Sequence, residues 1–84
     1  MKKKDLITII DNAIKDNVPY IAIKQHDPEF KKPIVFIEPR DNFIQLKNHI
    51  ESQYDENLEI GNIKIIKACI LKEVQLELKL FLKI

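Results

Sequence analysis

The sequence predicts an α+β fold in which two helices pack on one face of a mainly antiparallel sheet, in the order αββαβββ. Three observations predict it. Residues 74–84 alternate apolar and polar side chains, two other stretches carry apolar stripes at helical spacing, and short runs rich in β-branched residues lie between them. With only two helical stripes available, the economical arrangement lays both helices on the same side of the sheet.

The stretch from Val74 to Ile84 is the strongest strand signal. Its alternation places six apolar side chains on one face of a pleated strand, and only Phe81 departs from the pattern. A helix is the alternative, because Leu71, Val74 and Leu78 with Phe81 fall at heptad spacing. The helix would leave Leu76 and Leu80 facing water, so the period favours the strand.

The chain begins with residues 1–4, which we expect to be disordered, and continues into a helix over residues 5–16. Asp5 is the expected N-cap of this helix. Asn17 suits a left-handed residue at its end, and Pro19 cannot continue it. Two strands follow at residues 20–23 and 34–37, each apolar on both faces and therefore expected to be at least partly central. A polar segment with two prolines, residues 24–33, predicts a long mobile loop between them.

The second helix is predicted at residues 40–54. Pro39 suits a first helical turn, and Phe43, Leu46, Ile50 and Tyr54 recur at helical spacing. The aromatic side chains Tyr20, Phe36, Phe43 and Tyr54 lie within apolar patterns, which predicts that they are part of the core.

The last predicted element before residue 74 is a hairpin turning at Gly61-Asn62. This dipeptide sets Ile60 opposite Ile63 and Leu58 opposite Ile65. After Ile65 the alternation of apolar and polar residues shifts by one position, which predicts a bulge or a central strand that is apolar on both faces. Lys72-Glu73 must then turn the chain into the final strand, although neither residue favours a hairpin turn.

Length and composition predict a single domain, residues 1–84, of ordinary globular character. Apolar residues make up 45% and charged residues 32% of the 84 residues. No secretory signal or membrane span is evident, so we expect a cytoplasmic protein. Cys69 lies in an apolar run and is interpreted as a core residue. Thirteen lysines to one arginine, with sixteen isoleucines, is typical of an AT-rich bacterial or phage genome.

Most catalytic and cofactor sites are excluded by composition. One glycine cannot form a Walker A or dinucleotide loop, and one cysteine with two distant histidines excludes a standard structural zinc site. Ser52 and Thr8 lie in predicted helices without a triad partner. We therefore predict a non-enzymatic protein without cofactor or metal. His26, Asp27 and Glu29 are weak metal-ligand candidates, because imidazole and carboxylates suit a hard or borderline metal and a mobile loop could also bring in His49. Ordinary loop chemistry is the simpler interpretation, and an enzyme based on this loop remains a minority hypothesis.

The positive predictions concern binding. An exposed aromatic can anchor an interface, so Phe30 in the charged loop and Phe81 on the polar face of the last strand are interaction candidates, with Lys79 and Lys83 beside Phe81. The main hypothesis is a module that binds a protein partner or forms a homodimer through Val74 to Ile84, whose outer edge is available to a second strand.

The alternative is a lysine-dependent nucleic-acid binder. The net charge is only +1, but the basic residues lie near both ends of the chain and the middle is acidic. The lysines in question are Lys64, Lys67, Lys72, Lys79 and Lys83. The scarcity of arginine and of interleaved exposed aromatics counts against nucleic acid as a partner. No membrane partner is expected, because no stretch approaches the roughly 18 consecutive apolar residues of a membrane span.

Overall fold

The computed structural model describes residues 1–72, which form two helices and a four-stranded antiparallel sheet. In chain order these are α1 (Lys3–Lys15), β1 (Tyr20–His26), β2 (Ile34–Pro39), a 3₁₀ turn (Arg40–Asn42), α2 (Phe43–Gln53), β3 (Glu59–Ile60) and β4 (Ile63–Leu71). The strands lie in the order β2-β1-β4-β3. The predicted fold class is confirmed, with the order αββαββ. The predicted strand from Val74 to Ile84 lies outside the described residues.

Both helices pack on one face of the sheet. Leu6, Ile10 and Ala13 of α1 and Phe43 and Ile50 of α2 are buried in one core. The sheet contributes the side chains that point to the same side, namely Ile21, Ile23, Ile65 and Ala68. A smaller cluster lies on the other face, where Ala22 and Leu71 are buried beside Tyr20, Val35 and Cys69. The two central strands are therefore apolar on both faces.

The first helix begins earlier than predicted. Lys2, rather than Asp5, is the N-cap, and the main-chain N–H of Lys2 donates to Oδ2 of Asp5 at 2.8 Å. Lys3 and Lys4, which we expected to be disordered, form the first turn because Lys3 is anchored to α2. Its Nζ donates to the carbonyl oxygens of Glu51 at 2.8 Å and Tyr54 at 2.7 Å. A lysine that binds the last carbonyls of a neighbouring helix satisfies acceptors that the helix itself leaves unpaired.

The second helix begins later than predicted. Residues 40–42 form a 3₁₀ turn before α2 begins at Phe43. Pro39 closes β2 instead of opening the helix. The two helices run antiparallel, since Lys3 at the start of α1 contacts the end of α2 and Asp11 pairs with Lys47 at 2.8 Å near the middle.

The hairpin between β3 and β4 is confirmed. Ile60 is paired with Ile63, and the N–H of Ile65 donates to the carbonyl of Leu58 at 3.0 Å. Gly61 adopts a φ of +57°, the left-handed conformation that this turn requires. The predicted slip after Ile65 is a bulge, because the register between β1 and β4 shifts between Lys24 and Gln25.

Candidate protein-interaction site

The interaction residues predicted from the sequence are only partly within the described chain. Phe81, Lys79 and Lys83 lie outside it. Phe30 is 53% exposed in the turn after β1, as an interface anchor requires. The predicted loop is shorter than expected, because β1 extends to His26 and only residues 27–33 connect the two strands.

The carboxylates after β1 organise a turn. Oδ1 of Asp27 accepts a hydrogen bond from the N–H of Glu29 at 3.0 Å, and the carbonyl of Asp27 accepts one from the N–H of Phe30 at 3.0 Å. His26 is paired with Lys64 at the end of the sheet, whereas His49 lies on α2. Within residues 1–72 no three such side chains are placed to hold a metal ion. The geometry is that of an Asx turn.

The two hydroxyl side chains of the helices bind their own backbone. Thr8 Oγ1 donates to the carbonyl of Lys4 at 2.9 Å, and Ser52 Oγ donates to that of His49 at 3.4 Å. Among the residues that the structure describes, no base is paired with either hydroxyl, and a nucleophile in acyl transfer requires such a base.

The outer edge of β2 is a candidate site because β2 has a strand neighbour on one side only in the described sheet. The N–H of Arg40 donates to the carbonyl of Pro19 at 2.9 Å, one step beyond the pair Tyr20 and Pro39. In an antiparallel ladder, successive residues direct their N–H and C=O groups to opposite sides. The even-numbered residues of β2 therefore direct their N–H and C=O groups to β1. Val35 and Ile37 direct theirs outward, away from β1.

Two prolines bracket this edge. By the same alternation, Pro33 and Pro39 occupy outward positions, where the missing N–H removes no bond to β1. The outward N–H donors of β2 are thus those of Val35 and Ile37, and strand addition to β2 is confined to the segment between the prolines.

The side chains of β2 are apolar and exposed. Phe36 is 43% exposed and Ile37 is 37% exposed. These exposures correct two predictions, namely that Phe36 is part of the core and that this strand is partly central. The physical reason is that β1 lies between β2 and β4, which leaves β2 at the edge of the sheet that residues 1–72 form. The signal that was available in the sequence is the pair of prolines around the strand.

A groove accompanies the edge on the helical side. It has a volume of about 170 Å³ and lies between Phe36 of β2, Leu46 and His49 of α2, and Tyr54 at the C-cap of α2. Pockets for drug-sized ligands occupy at least about 300 Å³. This groove is smaller, and its size suits one or two side chains of a bound segment.

Tyr54 forms the polar wall of the groove. Its hydroxyl donates to Oε1 of Gln25 at 3.3 Å. The ring of His49 meets the Tyr54 ring edge-on, with centroids 5.7 Å apart and an interplanar angle of 80°. Burial of the phenol raises the pKa of Tyr54 above its usual value. The groove therefore combines an apolar floor with fixed polar groups on its rim.

No family model, curated protein or solved structure matches the chain. No helix within residues 1–72 is long and apolar enough to cross a membrane. The β2 edge with its groove is a candidate protein-interaction surface within residues 1–72.

The raised pKa of Tyr54 predicts a loss of stability in alkali. In the unfolded chain Tyr54 ionises near pH 10, below its folded-state pKa, so the unfolded state loses its proton first and stability falls as the pH rises above about 10. Below that pH the contribution is constant. Hydrogen bonding to Asp11 raises the pKa of Lys47, so this group also makes stability fall as the pH rises. Urea denaturation across this range should therefore show a shallower decline for Tyr54→Phe than for the wild type. Equal declines would contradict the assignment to Tyr54.

Proposed function

We propose that this chain is a non-enzymatic protein-interaction module that binds an extended segment of protein by adding it to β2. The observation that carries the proposal is the outer edge of β2, where the N–H groups of Val35 and Ile37 point outward between two prolines. Strand addition supplies affinity through such main-chain groups and specificity through pockets for alternate side chains.

The exposed side chains support the same mode of binding. An added strand would cover Phe36 and Ile37, which are on opposite faces of β2 and are respectively 43% and 37% exposed. Side chains of the bound segment that point to the helical face would reach the groove beside Leu46 and His49. Each buried apolar side chain contributes in proportion to the area removed from water.

Selection from a displayed library of short random peptides tests the proposal. We expect the selected peptides to be rich in β-branched and aromatic residues, and to shift the NMR amide signals of Val35 and Ile37. Phe36→Lys should weaken their binding by about tenfold or more, because it places a charge where the peptide covers an apolar ring.

Ile44→Lys is the matched control for Phe36→Lys. Ile44 is 63% exposed on α2 and does not line the groove beside β2, and the substitution makes the same apolar-to-lysine change. It should leave peptide affinity unchanged. Peptides that bind Phe36→Lys as tightly as the wild type, or that shift signals elsewhere, would refute binding at β2.

Nucleic-acid binding is the alternative that the sequence suggested. Lys64 lies opposite Glu59 across the β3–β4 ladder, so a carboxylate offsets part of its charge. Lys79 and Lys83 lie outside the described residues. Affinity for generic DNA that falls linearly with salt on logarithmic axes would favour this alternative over protein binding.

A further inference from the structure

We propose that the segment added to β2 is β2 of a second copy of this chain, in an antiparallel pair with its twofold axis at Val35. The inference rests on the proposed function and names its partner. A homodimer through Val74 to Ile84 was predicted from the sequence, and that stretch lies outside the described residues. The described sheet offers β2 for self-association instead.

Symmetry and the ladder limit the possible registers. Two opposed residues in an antiparallel pair either both direct their main-chain groups toward each other or both direct them away. The twofold axis must therefore pass through a residue and not between two residues. Within the segment between the prolines, the axis can pass through Val35, Phe36 or Ile37. In each case the outward N–H groups of Val35 and Ile37 in both copies meet carbonyls of the other strand. Main-chain hydrogen bonding does not distinguish the three registers, so the side chains decide between them.

The axis at Val35 pairs side chains of matching chemistry. Ile34 then lies opposite Phe36 of the second copy, so apolar groups meet on the helical face. Lys32, in the bend two residues before β2, then comes near Glu38 of the second copy at the end of the ladder, and symmetry repeats this approach of opposite charges. Apolar pairs within a ladder stabilise it, and opposite charges close together at its end add to that stabilisation.

The other two registers oppose unlike groups. An axis at Phe36 sets Ile34 opposite Glu38 of the second copy. An axis at Ile37 sets Phe36 opposite Glu38 of the second copy. Each of these registers therefore places the Glu38 carboxylate against an apolar side chain twice, whereas the axis at Val35 places apolar side chains against each other.

The contact is small, so the dimer should be weak. β2 has six residues, and prolines limit its pairing at both ends. An interface of one short strand falls at the small end of specific interfaces. We therefore expect a dissociation constant between micromolar and millimolar, which makes the dimer dependent on concentration.

A charge exchange tests the register. Sedimentation velocity over a concentration series should give a dimer, and Glu38→Lys or Lys32→Glu alone should raise its dissociation constant by about fivefold, because each turns two attractive pairs into two repulsive ones. The double variant Lys32→Glu with Glu38→Lys restores opposite charges and should return the constant to within about twofold of the wild type. A dimer that the double variant does not restore would overturn the axis at Val35, and a chain that stays monomeric at millimolar concentration would overturn the inference entirely.

Cross-linking gives an independent readout that a shift in stability would not imitate. We use a Cys69→Ala background, so that Val35→Cys supplies one thiol per copy. In the proposed register the two Cα atoms of residue 35 are about 5.5 Å apart, within the range of a disulfide. Oxidised glutathione should link this variant into a covalent dimer faster than it links Ile44→Cys, the exposed control. Faster linking of Phe36→Cys than of Val35→Cys would overturn the register.

The results also separate this inference from the proposed function. Peptides that bind β2 while the chain stays monomeric would refute the second copy as partner and leave strand addition standing. If neither peptides nor a second copy binds β2, both proposals are wrong.

Discussion

Phe43→Ala is expected to lower the free energy of unfolding by about 3 to 5 kcal/mol, since truncating a buried aromatic both loses transfer free energy and leaves a cavity. Phe43 is 1% exposed and contributes to the core that joins α2 to α1 and the sheet. Small domains have a total stability of about 5 to 15 kcal/mol. The variant should therefore be close to unfolded at room temperature, and thermal denaturation followed by circular dichroism should show a midpoint lowered by more than about 10 °C.

Ile44→Ala is the matched control for this prediction. Ile44 is the next residue of the same helix but is 63% exposed. Its truncation should change the free energy of unfolding by no more than about 0.5 kcal/mol, as for other surface substitutions. If the two variants had similar stability, the orientation of α2 on the sheet would be wrong.

Local chemistry made some parts of the fold predictable from the sequence. The hairpin at Gly61-Asn62 was predicted with its register, because turn type and the inward-facing residues agree on one pairing. The core face of α2 was likewise predicted from the spacing of Phe43 and Ile50, both of which are buried. These features depend on residues close together in the chain.

The candidate site could not be predicted in the same way because it depends on which strands become neighbours. The apolar run at residues 34–37 is compatible with a central or an edge position. The pairing of β1 with β4, strands far apart in sequence, leaves β2 at the edge of the described sheet, where Phe36 is exposed. The outward direction of the Val35 N–H follows from the hydrogen bond that the N–H of Arg40 donates to the carbonyl of Pro19. The apolar pattern does not encode this bond.

Helix limits were missed for a related reason. A carboxylate near a helix start serves equally as N-cap or as the third helical residue, so Asp5 was compatible with two starting points. Contacts of Lys3 with the end of α2, Glu51 and Tyr54, favour the earlier one. Tertiary contacts of this kind are absent from the local sequence signal.

Leu58 lies in a conformation that the sequence did not predict. It is fully buried, yet its φ is +60°, in the left-handed region. Hydrogen bonds hold this turn, since the N–H of Leu58 donates to the carbonyl of Asp55 at 3.0 Å and Oδ1 of Asp55 accepts from the N–H groups of Asn57 and Glu59. A non-glycine residue in this region costs about 1 to 2 kcal/mol. Burial of the side chain offsets that cost.

Replacing Leu58 by glycine should accordingly be less harmful than replacing it by alanine. Leu58→Ala loses about 2 to 5 kcal/mol through the buried side chain and keeps the unfavourable backbone conformation. Leu58→Gly loses one more methyl group but removes the backbone cost, so we expect it to be about 1 kcal/mol more stable than Leu58→Ala in urea denaturation.

At Ile50, a buried helical position, the order should be reversed, with glycine less stable than alanine by about 1 kcal/mol. Gly61→Ala measures the backbone cost by itself, because its φ is +57° and nothing lies within 4 Å of an added Cβ. If glycine were the less stable residue at both Leu58 and Ile50, the left-handed conformation of Leu58 would be wrong.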